Sequence, residues 1–559
     1  MPASPTGHLV LVLHTHLPWV IGHGRWPHGQ DWLHEAIAEC YVPLLRMMDR
    51  LVADGISPQI TIGITPVLAE MLSAKRLRDD FIAYCDARIK LAEADRKEFH
   101  LHGAYGSAQL AADWSVFHAG VLHDFLQTYK ADVVGALRRL QSAGHIEVLT
   151  SAATHGYLPL LGTDEHVAAQ VRAGVATYRR HFRRDPKGIW LPECAYRPRG
   201  PWSRQNGKRK SWRRPGLEDV LAANRLQYFF VDTHLVAGGT PLGTYEDRFE
   251  QRPTANPQKQ TGLSPNEPHA LVAKSRKRVA VFARDPRSST QVWSADYGYP
   301  GDGVYLEFHK KKGEGGLRYH RITDRRMPLD QKETYHPEPA ATQVKIHAEH
   351  FAGLVRDTLE KFRAANGRPG VVVAPFDTEL FGHWWFEGPQ WLEAVIRNFQ
   401  GDVTPMTASK FLEKHAPQSV VKLPEGSWGL GGHHYVWWND DTRWVWDLVY
   451  SAEDEFLELL DAAKRKRRPP LTRVIAQLAR EMLLLESSDW PFLITTRSAR
   501  DYAEARVKAH ASAFHRLAAM ARSAMAGPLA PEDAAWLKEL EERDAPFRDV
   551  DPKWWTEGP

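Results

Sequence analysis

Residues 8–16, "HLVLVLHTH", indicate the fold class of the chain. The apolar run at 9–13 is too short to span a membrane. A continuous apolar run of this length is typical of a β-strand that is buried on both faces, as the strands of parallel sheets are. Two histidines, His14 and His16, end the run, so the strand delivers polar side chains where it leaves the interior.

Six more stretches repeat this pattern, and helix-like stretches separate them. They are "QITIGITP" (59–66), "HIEVLTSAATH" (145–155), "GIWLPE" (188–193), "QYFFVDTH" (227–234), "RVAVFARD" (278–285) and "GVVVAPFD" (370–377). Strands that alternate with helices predict an α/β fold with a parallel sheet, and seven of them favour an incomplete TIM-like barrel over an open doubly wound sheet. Both architectures bind ligands at the carboxyl ends of the strands. The polar residues at these ends are His14, His16, His155, Glu193, Asp232, His234, Asp285 and Asp377.

The composition is that of a globular enzyme with an excess of tryptophan. Of 559 residues, 43% are hydrophobic and 25% are charged, and a net charge of +4 is too small to indicate nucleic acid or a membrane as the main partner. The 20 tryptophans favour surfaces that stack on sugar rings. Because there are three cysteines and no stretch like a signal peptide, we expect a cytoplasmic protein.

The pattern changes along the chain. Only helical patterns follow residue 452, so we expect a catalytic barrel over 1–415 and a C-terminal helical domain over 416–559. Two stretches, 198–215 and 235–277, are predicted to be long surface loops. The first is strongly basic and offers a surface for nucleic acid, although such charge runs are more often solvated loops.

His14 and His16 lie on one face of the first strand, because side chains alternate along a strand. Two histidines at a strand end can bind a metal or form hydrogen bonds with a polyhydroxylated ligand. The alternative is a pair of core histidines whose hydrogen bonds are satisfied. His155 ends another strand and has the same alternatives.

Glu193 and Asp377 end two apolar strands, where an unpaired charge is costly. Two carboxyl groups at one barrel mouth meet the requirement of glycoside hydrolysis: one acts as nucleophile or base, and the other, kept protonated, donates to the leaving oxygen. Asp377 could instead cap a helix. Since apolar neighbours raise the pKa of a carboxyl group, Glu193 needs partners that keep it ionised. The candidate partners are His14, His16, His155 and Arg197.

Two aromatic stretches favour a carbohydrate ligand. "HWWFEGPQWL" (383–392) follows Asp377 closely, and "GSWGLGGHHYVWWNDDTRWVW" (426–446) combines tryptophans that could wall a groove with glycines that permit close backbone approach. The alternative for the second stretch is a packed seam between domains.

Five motifs, in this order along the chain, resemble the conserved regions of glycoside hydrolase family 57. They are "LHTHLP" (13–18), "EVLTSAATHGYLPLL" (147–161), "GIWLPECAYRP" (188–198), "APFDTELFGHWWFEG" (374–388) and "GSWGLGGHHYVWWN" (426–439). Two further stretches, "RDPRSSTQVWSADYGYPG" (284–301) and "ESSDWPF" (486–492), resemble the α-1,4-glucan branching enzymes of that family.

The resemblance implies a (β/α)7 barrel with an inserted helical region, at about 66–140, and a C-terminal helical domain that contributes to the glucan groove. It implies a retaining mechanism without metal or cofactor, with Glu193 as nucleophile and Asp377 as general acid/base. The groove would be lined by His14, His16, Trp26, His155, Trp293, His383, Trp384, Trp428, Trp437 and Asp489. The expected partner is an α-glucan, bound by a monomer without nucleic acid or membrane.

Branching enzymes of this family carry a tyrosine on a flexible loop over the active site. The corresponding loop of this chain lies within 235–277, and Tyr245 is the nearest candidate. The residues after Tyr245 differ from the usual loop, and the stretch 198–215 is expanded. We therefore expect branching accompanied by appreciable hydrolysis.

Other functions compete with branching at this stage. An α-amylase or a 4-α-glucanotransferase would use the same scaffold. A metal-dependent polysaccharide deacetylase or zinc mannosidase would use His14 and His16 as ligands, but such sites usually include an aspartate close to the histidine pair, and "LHTH" has none. A non-catalytic glucan-binding protein would not need both Glu193 and Asp377.

Overall fold

The computed structural model describes residues 5–207, 211–242, 258–294, 296–399, 401–464 and 469–557. The strands within these ranges are β1 (Gly7–Thr15), β2 (Ile60–Ile64), β3 (Ile146–Ser151), β4 (Gly188–Trp190), β5 (Gly200–Trp202), β6 (Trp212–Arg214), β7 (Tyr228–Val231), β8 (His269–Val272), β9 (Arg278–Ala283), β10 (Gly370–Asp377) and β11 (Val403–Pro405).

Seven of the nine strands in the central sheet are parallel neighbours in the order β10-β1-β2-β3-β4-β7-β9. This is the chain order closed into a ring, as a barrel requires. The short strand β11 also pairs parallel with β1, and β8 pairs antiparallel with β9. Within the described residues β9 and β10 do not pair as a ladder, but the backbone N–H of Asp285 donates a 2.8 Å hydrogen bond to the carbonyl of Val373 on β10. The predicted incomplete (β/α)7 barrel is therefore confirmed.

Helices cover the outside of the sheet. In the first part of the chain they are α1 (Gln30–Ala36), α2 (Val42–Ala53), α3 (Pro66–Leu72), α4 (Leu77–Leu101), α5 (Tyr105–His123), α6 (Val133–Ser142), α7 (Asp164–Phe182), α8 (Leu217–Ala223), α9 (Thr233–Ala237), α10 (Pro286–Trp293), α11 (Pro337–Asn366), α12 (Gly388–Asn398) and α13 (Ala408–Lys414). A π-helical turn, Ile37–Tyr41, joins α1 to α2. The long pair α4 and α5 packs together in the region where a helical insertion is predicted.

The C-terminal part is helical. It consists of α14 (Arg443–Ala463), α15 (Pro469–Leu485), α16 (Asp489–Thr496), α17 (Arg500–Ala526) and α18 (Pro531–Arg543). The apolar faces of α15 and α17 pack against each other, and Leu478 and Phe514 are fully buried. In the described part of the chain no helix combines the length and the apolar character needed to cross a membrane. The predicted domain limits stay predictions.

Both stretches predicted as loops contain regular structure, which corrects that expectation. Within 198–215, β5 and β6 form an antiparallel hairpin, and within 235–277 β8 pairs antiparallel with β9. The backbone groups of these two stretches form hydrogen bonds between paired strands. The glycine and proline content of the stretches does not indicate these strands. Tyr245 lies outside the described residues, as do residues 208–210 of the basic stretch.

Three arginines of the basic stretch are engaged within the molecule. Arg199, Arg204 and Arg214 form ion pairs of 2.5–2.6 Å with carboxylates elsewhere in the chain. Their partners are Asp219, Asp454 and Asp164, respectively. Because the charge of each of these arginines is matched by a carboxylate of the same chain, they give little support to a nucleic-acid surface.

Candidate active site

The register of two parallel strands places a histidine beside a carboxyl group. In the ladder between β1 and β10, His14 is the partner of Asp377. The strands β3 and β4, further round the sheet, lead at the same end to His155 and Glu193. The sheet therefore gathers these four side chains at the carboxyl ends of its strands, where α/β barrels build their chemistry.

Glu193 sits in an unusual backbone conformation directly after β4. It belongs to a 3-10 turn, Pro192–Cys194, and its φ of 62° is in the left-handed region that non-glycine residues avoid. Such a conformation costs on the order of 1 kcal/mol or more and persists where the surroundings impose it. The side chain is 8% exposed, and its Oε2 accepts a 2.7 Å hydrogen bond from Nε1 of Trp428.

Three histidines pack against one another beside Glu193. Nε2 of His14 lies 3.0 Å from Nε2 of His155, and the rings of His16 and His155 stack with 4.0 Å between their centroids. Burial, together with neighbouring histidines, holds the pKa of His14 and of His155 well below its usual value. Both rings are therefore neutral, so one Nε2 can donate and the other accept. Nδ1 of His155 lies 3.8 Å from Oε1 of Glu193.

The C-terminal helices complete this cluster. Nε2 of His16 lies 2.9 Å from Oδ2 of Asp489, the first residue of α16. Ser488, one residue earlier, hydrogen-bonds with Nδ1 of His155 through its Oγ at 2.8 Å and donates its backbone N–H to the carbonyl of His155 at 3.2 Å. The site thus combines side chains from the sheet with side chains from the helical part.

Burial raises the pKa of the carboxyl groups at this site. The pKa of Glu193 rises to about 8, because burial and the charge of Asp377 outweigh the hydrogen bond from Trp428. Burial raises the pKa of Asp377 to about 7, although His16 and Arg284 act in the opposite direction. Near neutral pH the pair therefore keeps a proton, and two coupled groups of this kind titrate as one unit.

Glu379, two residues after Asp377, is a further carboxyl group of the site and is buried. Its Oε1 accepts hydrogen bonds from the hydroxyl of Tyr41, at 2.7 Å, and from the backbone N–H of His16, at 3.3 Å. Burial and the charge of Asp377 raise its pKa to about 8. Tyr41 ends the π-helical turn, an irregularity that is frequent at functional sites.

Arg284 supplies a positive charge from behind the site. Its guanidinium is almost fully buried and donates two parallel hydrogen bonds, of 2.9 and 2.8 Å, to Asp232. Burial would raise the pKa of Asp232, but Arg284 holds it well below its usual value. The same guanidinium lies 5.9 Å from the ring of Trp428. Asp232 therefore serves as the anchor of this arginine.

Several predicted residues lie elsewhere than expected. Trp437 is fully buried and stacks on Tyr157 at 4.4 Å, so in this structure it offers no face to a groove. Arg197 donates to the carbonyl of Pro215 and is not a partner of Glu193. Asp285, grouped with the polar strand ends, caps α10 by accepting from the backbone N–H of Ser288 at 2.8 Å.

Other predicted residues are accessible or held by partners. Trp26 and Trp384 are 42% and 44% exposed. Nδ1 of His383 lies 2.8 Å from Oε2 of Glu39, which fixes the ring next to Trp384. Trp293 is partly exposed at the last position of α10.

Sequence reasoning missed three contributors to the site. Ser488, Arg284 and Glu379 are not among the predicted site residues, although each stands inside a motif quoted above. The signal that could have found Glu379 is its spacing of two residues from Asp377 in a buried segment. The partners of Ser488 and Arg284 are distant in sequence, and no local pattern indicates them.

A cation would have to compete with existing hydrogen bonds at this site. Ligand atoms of His16, His155 and Asp489 lie within 4.8 Å of one another, so these residues could hold a metal ion. However, Nε2 of His16 is paired with Asp489, and the two ring nitrogens of His155 are paired with His14 and Ser488. The group fits a hydrogen-bonded cluster at least as well as a metal site.

The chain matches two family models that together cover most of its length. The model described as glycosyl hydrolase family 57 matches residues 10–424, and the model of the C-terminal part of 1,4-alpha-glucan branching enzymes matches residues 448–555. The chain is 44% identical to the 1,4-alpha-glucan branching enzyme of Thermococcus kodakarensis over 548 residues, which are 97% of this chain and 78% of that one.

Solved structures agree with these matches. The crystal structure of the Thermococcus branching enzyme superposes with a TM-score of 0.90 at 42% identity and covers 99% of this chain and 97% of that one. An alpha-amylase of Thermotoga maritima superposes with a TM-score of 0.80 at 30% identity and covers 99% of both chains.

Proposed function

This chain belongs to glycosyl hydrolase family 57, and we propose that it acts as a 1,4-alpha-glucan branching enzyme, with Glu193 as nucleophile and Asp377 as general acid/base. The observation that carries the proposal is the pair of carboxyl groups at the ends of β4 and β10, Glu193 buried and Asp377 half-buried, which keeps a proton near neutral pH. A retaining glycosidase starts from one ionised and one protonated carboxyl group. Because the pKa of Glu193, about 8, lies above that of Asp377, about 7, the proposed roles require the shared proton to lie on Asp377 once glucan is bound.

The proposed reaction has two displacements. Oε1 of Glu193 attacks the anomeric carbon, the glycosidic C–O bond breaks, and the proton of Asp377 goes to the leaving oxygen. A glycosyl ester of Glu193 remains. Asp377, now ionised, takes the proton of a 6-hydroxyl group of another glucan chain while that oxygen attacks the same carbon, and the carboxylate of Glu193 leaves.

The surroundings of Glu193 support its role as the nucleophile. Trp428 donates to Oε2 and thereby favours the ionised form, while Oε1 faces His155 at 3.8 Å and accepts no hydrogen bond of normal length from it. The left-handed backbone at Glu193 fixes where the carboxylate points. A nucleophile held in one orientation loses little entropy on the way to the transition state.

The remaining predicted contacts form part of the proposal. The exposed rings of Trp26 and Trp384 fit stacking on pyranose faces, and Trp293 and His383 would extend the same groove. The neutral histidines and Asp489 would contact sugar hydroxyl groups. The contributions of Trp437 and Tyr245, the monomeric state and the cytoplasmic location stay predictions.

A second candidate is α-glucan hydrolysis, because an alpha-amylase shares this fold along its whole length. Incubation with amylose separates the two activities. The products are treated with a debranching enzyme, new chains are counted, and reducing ends formed before debranching are measured. Branching predicts more new chains than reducing ends, whereas reducing ends without new chains would assign the protein to the hydrolases. The Glu193→Gln variant, which lacks the proposed nucleophile, serves as the inactive control.

A further inference from the structure

Glu486 is a buried carboxylate immediately before the segment that enters the active site. It follows the last turn of α15 and is 2% exposed. Its Oε1 pairs with Nδ1 of His166 on α7, and its Oε2 accepts a 2.7 Å hydrogen bond from the amide of Gln170 on the same helix. The carboxylate therefore ties the end of α15 to α7 two residues before Ser488.

Gln170 carries the connection to the other side of the site. Its Oε1 accepts from the backbone N–H of Thr154 at 3.1 Å, and its Nε2 lies 3.0 Å from the hydroxyl of Thr154. That hydroxyl also donates to the carbonyl of Leu483 on α15. Thr154 immediately precedes His155, so the segment of His155 and the segment of Ser488 are both held by Glu486 and Gln170.

The two segments then meet directly. Gly156 and Ser487 form an isolated antiparallel bridge, and Ser488 contacts His155 through both its hydroxyl and its backbone N–H. His155, with a φ of 57°, is itself in the left-handed region. A strained residue keeps such a conformation only while its neighbours enforce it. The neighbours that hold His155 are themselves held from outside the site, by Glu486.

The negative charge of Glu486 is matched by a neighbouring imidazole, that of His166. Ligand atoms of His166, Glu453 and Glu486 lie within 4.8 Å of one another, and the three residues are fully or almost fully buried. Burial disfavours the charged imidazole, but Glu486 and Glu453 outweigh it and raise the pKa of His166. Buried charges held this tightly resist displacement, because removing one partner leaves the other uncompensated.

We propose that Glu486 is a positioning residue of the active site, which acts through Ser488 on the orientation of His155 beside Glu193. This inference rests on the proposed function. Glu486 does not touch the carboxyl pair, and its effect passes through the bridge between Gly156 and Ser487 and through the contacts of Ser488. The residue should therefore govern the rate of the chemical step more than the binding of glucan.

The first test is the isosteric variant Glu486→Gln. Its amide places an NH2 group against either Gln170 or His166, each of which donates to the native carboxylate. We expect kcat for branching of amylose to fall at least about tenfold while KM changes less than about threefold, as misplacement of catalytic groups predicts. The matched control is Glu481→Gln on the same helix. This carboxyl group is buried, lies away from the site, and pairs with Nδ1 of His510 at a distance of 2.8 Å. It should keep the wild-type kcat.

The second test is a double-mutant cycle with Ser488→Ala. If Glu486 acts through Ser488, the double variant loses no more rate than the worse single variant. A wild-type kcat in Glu486→Gln, or losses that multiply in the double variant, would overturn the inference. If Glu486→Gln melts below the assay temperature, Thr154→Val replaces it in the cycle, with the same non-multiplying result expected. Wild-type enzyme that forms no branches would refute the proposed function itself, independently of these variants.

Discussion

Trp428 forms hydrogen bonds with both the side chain and the backbone of Glu193. The indole Nε1 donates a 2.7 Å hydrogen bond to Oε2 of the carboxyl group, and the backbone N–H of Trp428 donates to the backbone carbonyl of Glu193 at 3.1 Å. The first bond opposes the burial that raises the pKa of Glu193, and the second stabilises the left-handed turn. A tryptophan predicted to wall the groove is in fact a direct partner of the carboxylate.

Trp428→Phe should lower kcat for branching by about 10- to 100-fold, because a donor aimed at a charged catalytic group is lost. Without this hydrogen bond the pKa of Glu193 rises further, so the acidic limb of the profile of kcat/KM against pH should move to higher pH. The control is Trp391→Phe, which alters a buried tryptophan of α12 whose indole N–H has no hydrogen-bond partner among the described residues. Unchanged kinetics in Trp428→Phe would contradict the assignment.

Glu193→Gln and Asp377→Asn should each reduce branching by roughly 10³-fold or more. The first amide cannot act as the nucleophile, and the second cannot act as the general acid/base. Both side chains keep their shape, so circular dichroism and the melting temperature should show an intact fold. Activity within tenfold of the wild type in either variant would remove that residue from the mechanism.

Stability should depend on pH through the same carboxyl group. The pKa of Glu193 rises on folding from 4.5 to about 8, so between these values the folded protein keeps a proton that the unfolded chain releases. The contribution of Glu193 to the free energy of unfolding therefore falls as the pH rises through this range. Glu193→Gln cannot ionise and should gain on the order of 4 kcal/mol relative to the wild type between pH 4.5 and 8.

The measurement is the difference in melting temperature between Glu193→Gln and the wild type, taken at pH 5 and at pH 8. We expect the difference to grow in favour of the variant at pH 8. Glu379→Gln, whose parent carboxyl group has a similarly raised pKa, should behave in the same way. A difference that is the same at both pH values would mean that these groups do not keep their protons on folding.

Exhaustive chelation should leave branching activity unchanged, because the imidazoles of His16 and His155 already have hydrogen-bond partners. Excess Zn²⁺ should inhibit, since His16, His155 and Asp489 can close around a cation. Asp489→Asn should weaken this inhibition. Loss of activity on chelation that zinc restores would instead favour a metal-dependent enzyme.

The strands were predictable because their sequences are unambiguous. β1 and β10 are apolar over nearly their whole length, which only a sheet buried on both faces tolerates. Glu193 and Asp377 could be found for the same reason, since a carboxyl group at the end of such a strand requires an explanation. The hairpin of β5 and β6 was not predictable because basic and glycine residues there suggest a loop, while the carboxylates that pair with Arg204 and Arg214 lie far along the chain.

Residues of one type at similar positions have different roles that only the tertiary structure separates. Asp285 and Asp377 both end apolar strands, yet the first caps a helix and the second lies among the histidines of the site. Trp428 and Trp437 stand in one tryptophan-rich stretch, yet one binds Glu193 and the other packs on Tyr157. The local pattern does not indicate the partners of Asp377, Trp428 and Trp437, because remote segments of the chain supply them.

His16 and Asp489 stand 473 positions apart in the chain, and Nε2 of His16 lies within hydrogen-bond distance of both carboxylate oxygens of Asp489. During synthesis, a ribosome has translated all the strands and both carboxyl groups long before it reaches the second member of this pair. An interrupted translation product that stops short of α16 would carry Glu193 and Asp377 but neither Ser488 nor Asp489. Such a product would lack the hydrogen-bond partners that His16 and His155 have in the full chain, so Glu193 and Asp377 would stand beside an incomplete histidine cluster.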